Sequence, residues 1–155
     1  DDKMGARPLG RVIQENINIH KLLAEKKGIM LLSPDQEDIY AYGDRDMINS
    51  VIRNLMTNAV KFTDRNKKVE VKVSPGENEL EVSVVDEGIG IEQENMKRLF
   101  RIDEKFKSNG TDGEKGTGLG LIICREFVEK NGGEIKVQSK PGVGTTFSFT
   151  LPLSN

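Results

Sequence analysis

The segment from Asp44 to Thr63 constrains the fold more than any other part of this chain, because it carries two different faces. At about 100° per residue, Ile48, Val51, Ile52, Leu55 and Ala59 share one broad apolar face that has to dock on other structure. Asp44 is placed to cap the start of the helix. Asn54, Asn58 and Lys61 share a second, narrower face, with Phe62 at the boundary. Asparagine is a mediocre helix former. Two amides and an amine at i, i+4 and i+7 therefore read either as a solvated face with incidental asparagines or as a wall facing a ligand. An amide oxygen can coordinate Mg²⁺, which prefers hard oxygen donors and keeps several waters. A lysine one turn further on can meet phosphate as a point charge.

The elements around this helix follow from periodicity and punctuation. Val12, Ile13, Ile17, Leu22 and Leu23 suggest an amphipathic helix over Leu9–Lys27, stopped by Gly28, with a strand-like run beginning at Ile29–Leu32. Val69–Val73 and Leu80–Val85 alternate apolar with polar residues as strands do, around a Pro75-Gly76 turn. A short helix is expected near Gln93–Phe100, and a longer one from Leu119 to Lys130, ended by Asn131-Gly132-Gly133. Strands at Glu134–Ser139 and Thr145–Leu151 close the chain around Pro141-Gly142. The polar, glycine-bearing stretch from Arg101 to Gly116 reads as an unpacked loop of the kind that often forms a lid. The expected architecture is one α/β domain over residues 9–155, helices on one side and a mixed, largely antiparallel sheet on the other. Residues 1–8 carry no pattern and read as a linker or cloning remnant.

Composition narrows the function. The chain has 155 residues, enough for one domain with a sizeable core. Its 23 Lys and Arg are balanced by 25 Asp and Glu, with no basic stripe, which argues against a nucleic-acid partner. No apolar run approaches the ~20 residues of a membrane span, so no direct membrane contact is expected. The single Cys124 cannot form an internal disulfide, making a reducing compartment the default; its apolar helical setting reads as core. His20, the only histidine, excludes metal sites built on several histidines.

Two glycine clusters complete the set. Asp86-Glu87-Gly88-Ile89-Gly90-Ile91 follows a strand directly. Asp86 can accept from an exocyclic amine and the glycines permit close backbone approach, although an ordinary strand-to-helix turn would look the same. Gly116-Thr117-Gly118-Leu119-Gly120-Leu121 opens a helix, where exposed N–H groups and the macrodipole favour an anion. The spacing is not G-x-G-x-x-G, and no G-x-x-x-x-G-K-[ST] occurs, which disfavours both familiar nucleotide folds.

Taken in order, these pieces resemble the ATP-binding catalytic domain of histidine kinases. Asn54 to Thr63 resembles the family's N box and Asp86 to Ile91 its first glycine box. Phe100 with Phe106 resembles the F box, and Gly116 to Leu121 the second glycine box. Gly144-Thr145-Thr146-Phe147 before Leu151-Pro152 resembles the terminal strand motif. The resemblance covers roughly residues 9–153. It implies a Bergerat-type two-layer α/β sandwich that holds ATP and Mg²⁺ between the helical layer and a lid. On this resemblance Asn58 ligates Mg²⁺, while Asn54 and Lys61 act with it on the phosphates. Phe62 packs beside adenine where many relatives have Tyr, Asp86 accepts from the adenine amino group, and Gly90 lets the base sit against the chain, beside Gly88 and Ile91. Lys115, Gly116, Thr117, Gly118, Leu119, Gly120 and Leu121 belong to the phosphate end, and Phe106 anchors the lid over Arg101–Lys115. Thr145 or Thr146 supports the adenine end, the choice between them being open.

The same fold serves gyrase, mismatch-repair and heat-shock chaperone ATPases, which typically carry a Glu base one turn before the magnesium asparagine. Here that position is Asn54, which favours transfer to a partner's nucleophile over hydrolysis. The resemblance implies an acceptor histidine on a separate dimerisation domain of a two-component sensor kinase, a response regulator downstream, and a cytoplasmic location, including that of the cytoplasmic part of a membrane-bound sensor. The alternatives are a hydrolytic ATPase, an ATP-binding module without transfer, and a serine kinase of the anti-sigma type. His20 lacks the acidic neighbour and following proline of the family's acceptor motif and is expected at the surface or rim. Leu9–Lys27 is expected to be the segment entering from the dimerisation domain.

Overall fold

The computed structural model describes residues 6–34, 39–100 and 120–153. A five-stranded sheet has the order β2-β4-β5-β7-β6, built from β2 (Met30–Leu32), β4 (Lys68–Pro75), β5 (Glu79–Asp86), β6 (Ile135–Lys140) and β7 (Gly144–Pro152). Only β2 and β4 pair in parallel; the other neighbours are antiparallel. Val69, Val71, Leu80, Val82, Val84, Phe147, Phe149 and Leu151 alternate onto one buried face. The helices α1 (Leu9–Lys27), α2 (Arg45–Lys61) and α4 (Gly120–Lys130) form the second layer with it, and α3 (Gln93–Met96) is a single turn. The expected two-layer sandwich with a largely antiparallel sheet is the observed one.

The central helix is α2. Asp44 accepts from the backbone N–H groups of Asp46 (2.9 Å) and Met47 (3.1 Å), capping it as expected. Asn131, at the far end of α4, fixes that cap by accepting from the Asp44 N–H at 2.7 Å. Ile48, Val51, Ile52, Leu55 and Ala59 are all buried, together with Met56 and Val60, because α2 packs between α1 and α4 as well as on the sheet. Cys124 is fully buried.

Three expectations need correcting. Leu22 and Leu23 are 62% and 51% exposed, because the buried stripe of α1 continues from Ile17 through His20, Ala24 and Lys27 instead. His20 is therefore a core residue at 5% exposure, not a rim residue. Its Nδ1 lies 2.7 Å from the Asn16 carbonyl oxygen and its Nε2 lies 2.9 Å from Thr57 Oγ1. Through that stripe α1 packs as a layer of the domain. Finally, Ala6–Pro8 forms β1, antiparallel to β3 (Tyr40–Tyr42), within a stretch that showed no pattern.

Candidate functional site

The site is assembled where β5 and β7 end and begin. Asp86 closes β5 opposite Thr145 of β7, on the face covered by helices. Its Oδ1 accepts from the Gly88 N–H at 2.8 Å and the Thr145 N–H at 3.2 Å. Burial disfavours the charged carboxylate and raises its pKa from 3.8 to about 6, against the opposing pull of the two backbone donors. Thr146 pairs with Val85 and so faces the other side of the sheet. Of the two threonines, Thr145 is the one beside Asp86.

The first glycine turn is pressed between two elements. A Cβ at Gly88 would run into the Phe62 carbonyl oxygen, which also accepts from the Ile89 N–H at 3.1 Å. Gly90 has φ +76°, and a Cβ there would collide with the Lys140 carbonyl. Gly90→Ala is accordingly expected to destabilise the fold by roughly 2–4 kcal/mol, the sum of left-handed strain and a backbone clash. Urea unfolding measures this; an unchanged midpoint would mean the turn can be rebuilt without glycine.

Ser139 was not singled out in the sequence, yet it ties this turn to β7. Its hydroxyl donates to the Gly144 carbonyl oxygen at 3.0 Å, accepts from the Ile91 N–H at 2.8 Å, and lies 2.7 Å from Thr145 Oγ1. With its own hydrogen directed at Gly144, Ser139 receives the Thr145 hydroxyl hydrogen, leaving Thr145 Oγ1 as an acceptor. The β6 alternation gives no sequence signal for such a role.

The amide face of α2 links this turn to α4. Asn54 Nδ2 donates to the Ser50 carbonyl at 2.9 Å, and a Cβ on Gly120, the first residue of α4, would lie 3.3 Å from Asn54 Oδ1. The amide oxygen is thus turned toward the first residue of α4. Asn58 is half-buried one turn on, and Lys61 Nζ lies 4.9 Å from the centre of the Phe62 ring. The α2 face therefore runs from Asn54, beside Gly120, past Asn58 and Lys61 to Phe62, whose carbonyl meets the glycine turn at Gly88 and Ile89, next to Asp86 and Thr145. Gly90 and Ile91 continue that turn against Lys140 and Ser139. Leu121 packs against the core. Phe106, Lys115, Gly116, Thr117, Gly118 and Leu119 lie outside the described residues. No group of three or more His, Cys, Asp or Glu able to hold a metal occurs among the described residues. A cation in this cleft would instead meet neutral amide oxygens, ligand phosphates and water, a donor set that fits Mg²⁺. Also among the described residues, no helix is long and apolar enough to cross a membrane.

The start of α4, the amide-bearing face of α2 and a buried carboxylate at a glycine turn lie on the helix-covered side of the sheet. The family described as histidine kinase-, DNA gyrase B-, and HSP90-like ATPase matches residues 43–155, and the chain belongs to it. Within that class its relatives are histidine kinases. It is 33% identical over 147 residues to the adaptive-response sensory kinase SasA of Crocosphaera subtropica, covering 94% of this chain and 38% of that one. The chain thus spans well under half of that relative. The nucleotide-free catalytic domain of histidine kinase ThkA superposes with a TM-score of 0.82 at 27% identity, covering 98% of this chain and 97% of the other. The structure of ThkA in complex with response regulator protein TrrA matches with a TM-score of 0.78 at 27% identity, over 97% of this chain and 42% of that one.

Proposed function

We propose that this domain binds Mg-ATP and donates the γ-phosphoryl group to a histidine carried by a separate dimerisation domain. The observation that carries the reading is the state of the two groups that could divert the phosphoryl group elsewhere. At the position where hydrolytic members hold a carboxylate base stands Asn54, an amide that cannot take a proton from water near neutral pH. The chain's single histidine, His20, is buried with both ring nitrogens engaged, so this chain offers ATP no imidazole of its own.

In this reading Asp86 accepts from the adenine amino group, with Thr145 Oγ1 as a second acceptor nearby and Phe62 against the base. Asn58 supplies an amide oxygen to Mg²⁺, Asn54 orients the phosphate end, and Lys61 offsets its charge. The N-terminus of α4 receives the phosphates. Bound Mg²⁺ would neutralise charge on the phosphate oxygens. The imidazole of the partner domain is the nucleophile, so this chain contributes alignment and charge compensation. The ThkA–TrrA assembly supports a response regulator as a partner.

The test mixes the chain with a histidine-bearing dimerisation domain supplied as a second polypeptide and γ-labelled ATP. Acid-labile, base-stable label on the second polypeptide is expected. Label released as inorganic phosphate at the same rate with and without the acceptor would instead establish a hydrolase.

A further inference from the structure

The strip of α1 that meets α2 is polar where leucine would pack. Asn16, His20 and Lys27 are exposed by 0%, 5% and 6%. Burying polar groups is costly unless they find directional partners, and each of these side chains makes at least one such bond to α2, although Asn16 Oδ1 is left without a partner. Asn16 Nδ2 donates to Asn49 Oδ1 at 2.8 Å and His20 Nε2 meets Thr57 Oγ1 at 2.9 Å. Lys27 Nζ donates to the carbonyl oxygens of both Val60 and Lys61, each at 2.9 Å. Apolar contact would tolerate rotation and sliding of one helix on the other. Three such rungs permit one register.

The lowest rung has a particular position. The last carbonyls of a helix have no partner within it and carry partial negative charge, and an ammonium group meets them here. The following residue, Phe62, donates its N–H to the Asn58 carbonyl at 3.0 Å and accepts from Ile89 N–H at 3.1 Å. One turn of backbone thus joins α1, the amide face of α2 and the first glycine turn.

We propose that Lys27 is a positioning residue for nucleotide binding. It holds the final turn of α2 so that Lys61 and Phe62 present their side chains to the ligand while the Phe62 carbonyl stays seated on the glycine turn. This rests on the nucleotide-binding reading above, in which Lys27 itself touches neither ATP nor metal.

Lys27→Met keeps the stem and removes the donor. Calorimetry with Mg-ATP on the whole chain, at a temperature where both proteins are folded by circular dichroism, is expected to show a Kd raised roughly tenfold, as misplaced contact groups do. Amide hydrogen exchange is expected to accelerate at Phe62 and Ile89 while Met47 and Ile48, at the other end of α2, keep their protection. A uniform rise along α2 would mean Lys27 only stabilises the fold and would overturn the proposal, as would an unchanged Kd. If Lys27→Met does not fold, Lys27→Gln replaces it. Gln can make one of the two bonds, so an intermediate Kd is expected and a wild-type Kd would overturn the proposal. A wild-type chain that gives no heat with Mg-ATP would reject the nucleotide reading itself, a result separable from a wild-type chain that binds and a variant that binds equally well.

Discussion

Asp86→Asn is expected to bind ATP about five- to 150-fold more weakly than the parent chain while unfolding at a higher temperature at pH 7.5. The two effects have one origin. In the folded chain the carboxyl titrates near 6 because burial disfavours its charge, against 3.8 for an unperturbed group. Between those values the folded state holds more protons than the unfolded state, so stability falls as pH rises from about 4 to 6. Above 6 the full cost of the buried charge is present, and a rise of about two units corresponds to roughly 3 kcal/mol at most. Asparagine removes the charge and can keep the two backbone N–H donors, from Gly88 and Thr145, on its oxygen. A gain of about 1–3 kcal/mol in unfolding free energy at pH 7.5 follows, shrinking toward zero at pH 4.

The loss of affinity follows from the same substitution. The carboxylate offers only acceptors, matching the donor amine of adenine. An asparagine that gives its oxygen to the backbone turns its own amine toward that donor, and an unmatched buried polar pair costs about 1–3 kcal/mol. Guanine presents an acceptor oxygen there, so the variant's preference for ATP over GTP narrows. Wild-type binding should also release a proton near pH 6, since an adenine donor favours the ionised form. Calorimetry in two buffers of different ionisation enthalpy reads this directly. Equal ATP affinity in Asp86→Asn and parent, at pH 7.5 and at pH 5.5, would remove Asp86 from base recognition.

What could be read from residues alone depended on how strongly each position was forced. The α2 boundaries and its buried stripe were legible because Asp44 is a strong capping residue and five apolar side chains recur at the helical period. The strands β4, β5 and β7 were legible because each alternates buried apolar residues with less buried, mostly polar ones. In α1 the period was visible but its phase was misread: Leu22 and Leu23 are apolar and exposed, whereas His20 and Lys27 are polar and buried, because hydrogen bonds to α2 substitute for apolar packing. The strands β1 and β3 are three residues each, too short to show alternation. The choice between Thr145 and Thr146 needed the register of β7 on β5, and Ser139 needed its neighbour across the β6–β7 hairpin. Both are long-range facts that no local pattern contains. The expected lid over Arg101–Lys115 lies outside the described residues.

Asn58→Ala is the second substitution with a large expected effect, and its interpretation is unusually clean. Asn58 is half-buried within α2, and alanine is the better helix former by about 0.5 kcal/mol. The apolar face of α2 is untouched, so the fold should be as stable as the parent or slightly more so. What is lost is an amide oxygen one turn beyond Asn54, on the stretch between the N-terminus of α4 and the first glycine turn. In the proposed reading Mg²⁺ takes that neutral oxygen together with phosphate and water. The expected outcome is that Mg²⁺ no longer increases ATP affinity, while metal-free ATP binds the variant and the parent alike. Phosphoryl transfer to an added dimerisation domain should fall at least about a hundredfold, the scale on which loss of a transition-state charge partner registers. Asn58→Asp restores an oxygen donor but sets a negative charge beside the triphosphate, so it should recover metal dependence without recovering full transfer. Titrating ATP with and without Mg²⁺ against all three proteins separates these outcomes. A magnesium-dependent gain in affinity that survives in Asn58→Ala would place the metal ligand elsewhere on α2 and leave Asn58 a solvated residue of an ordinary helix face.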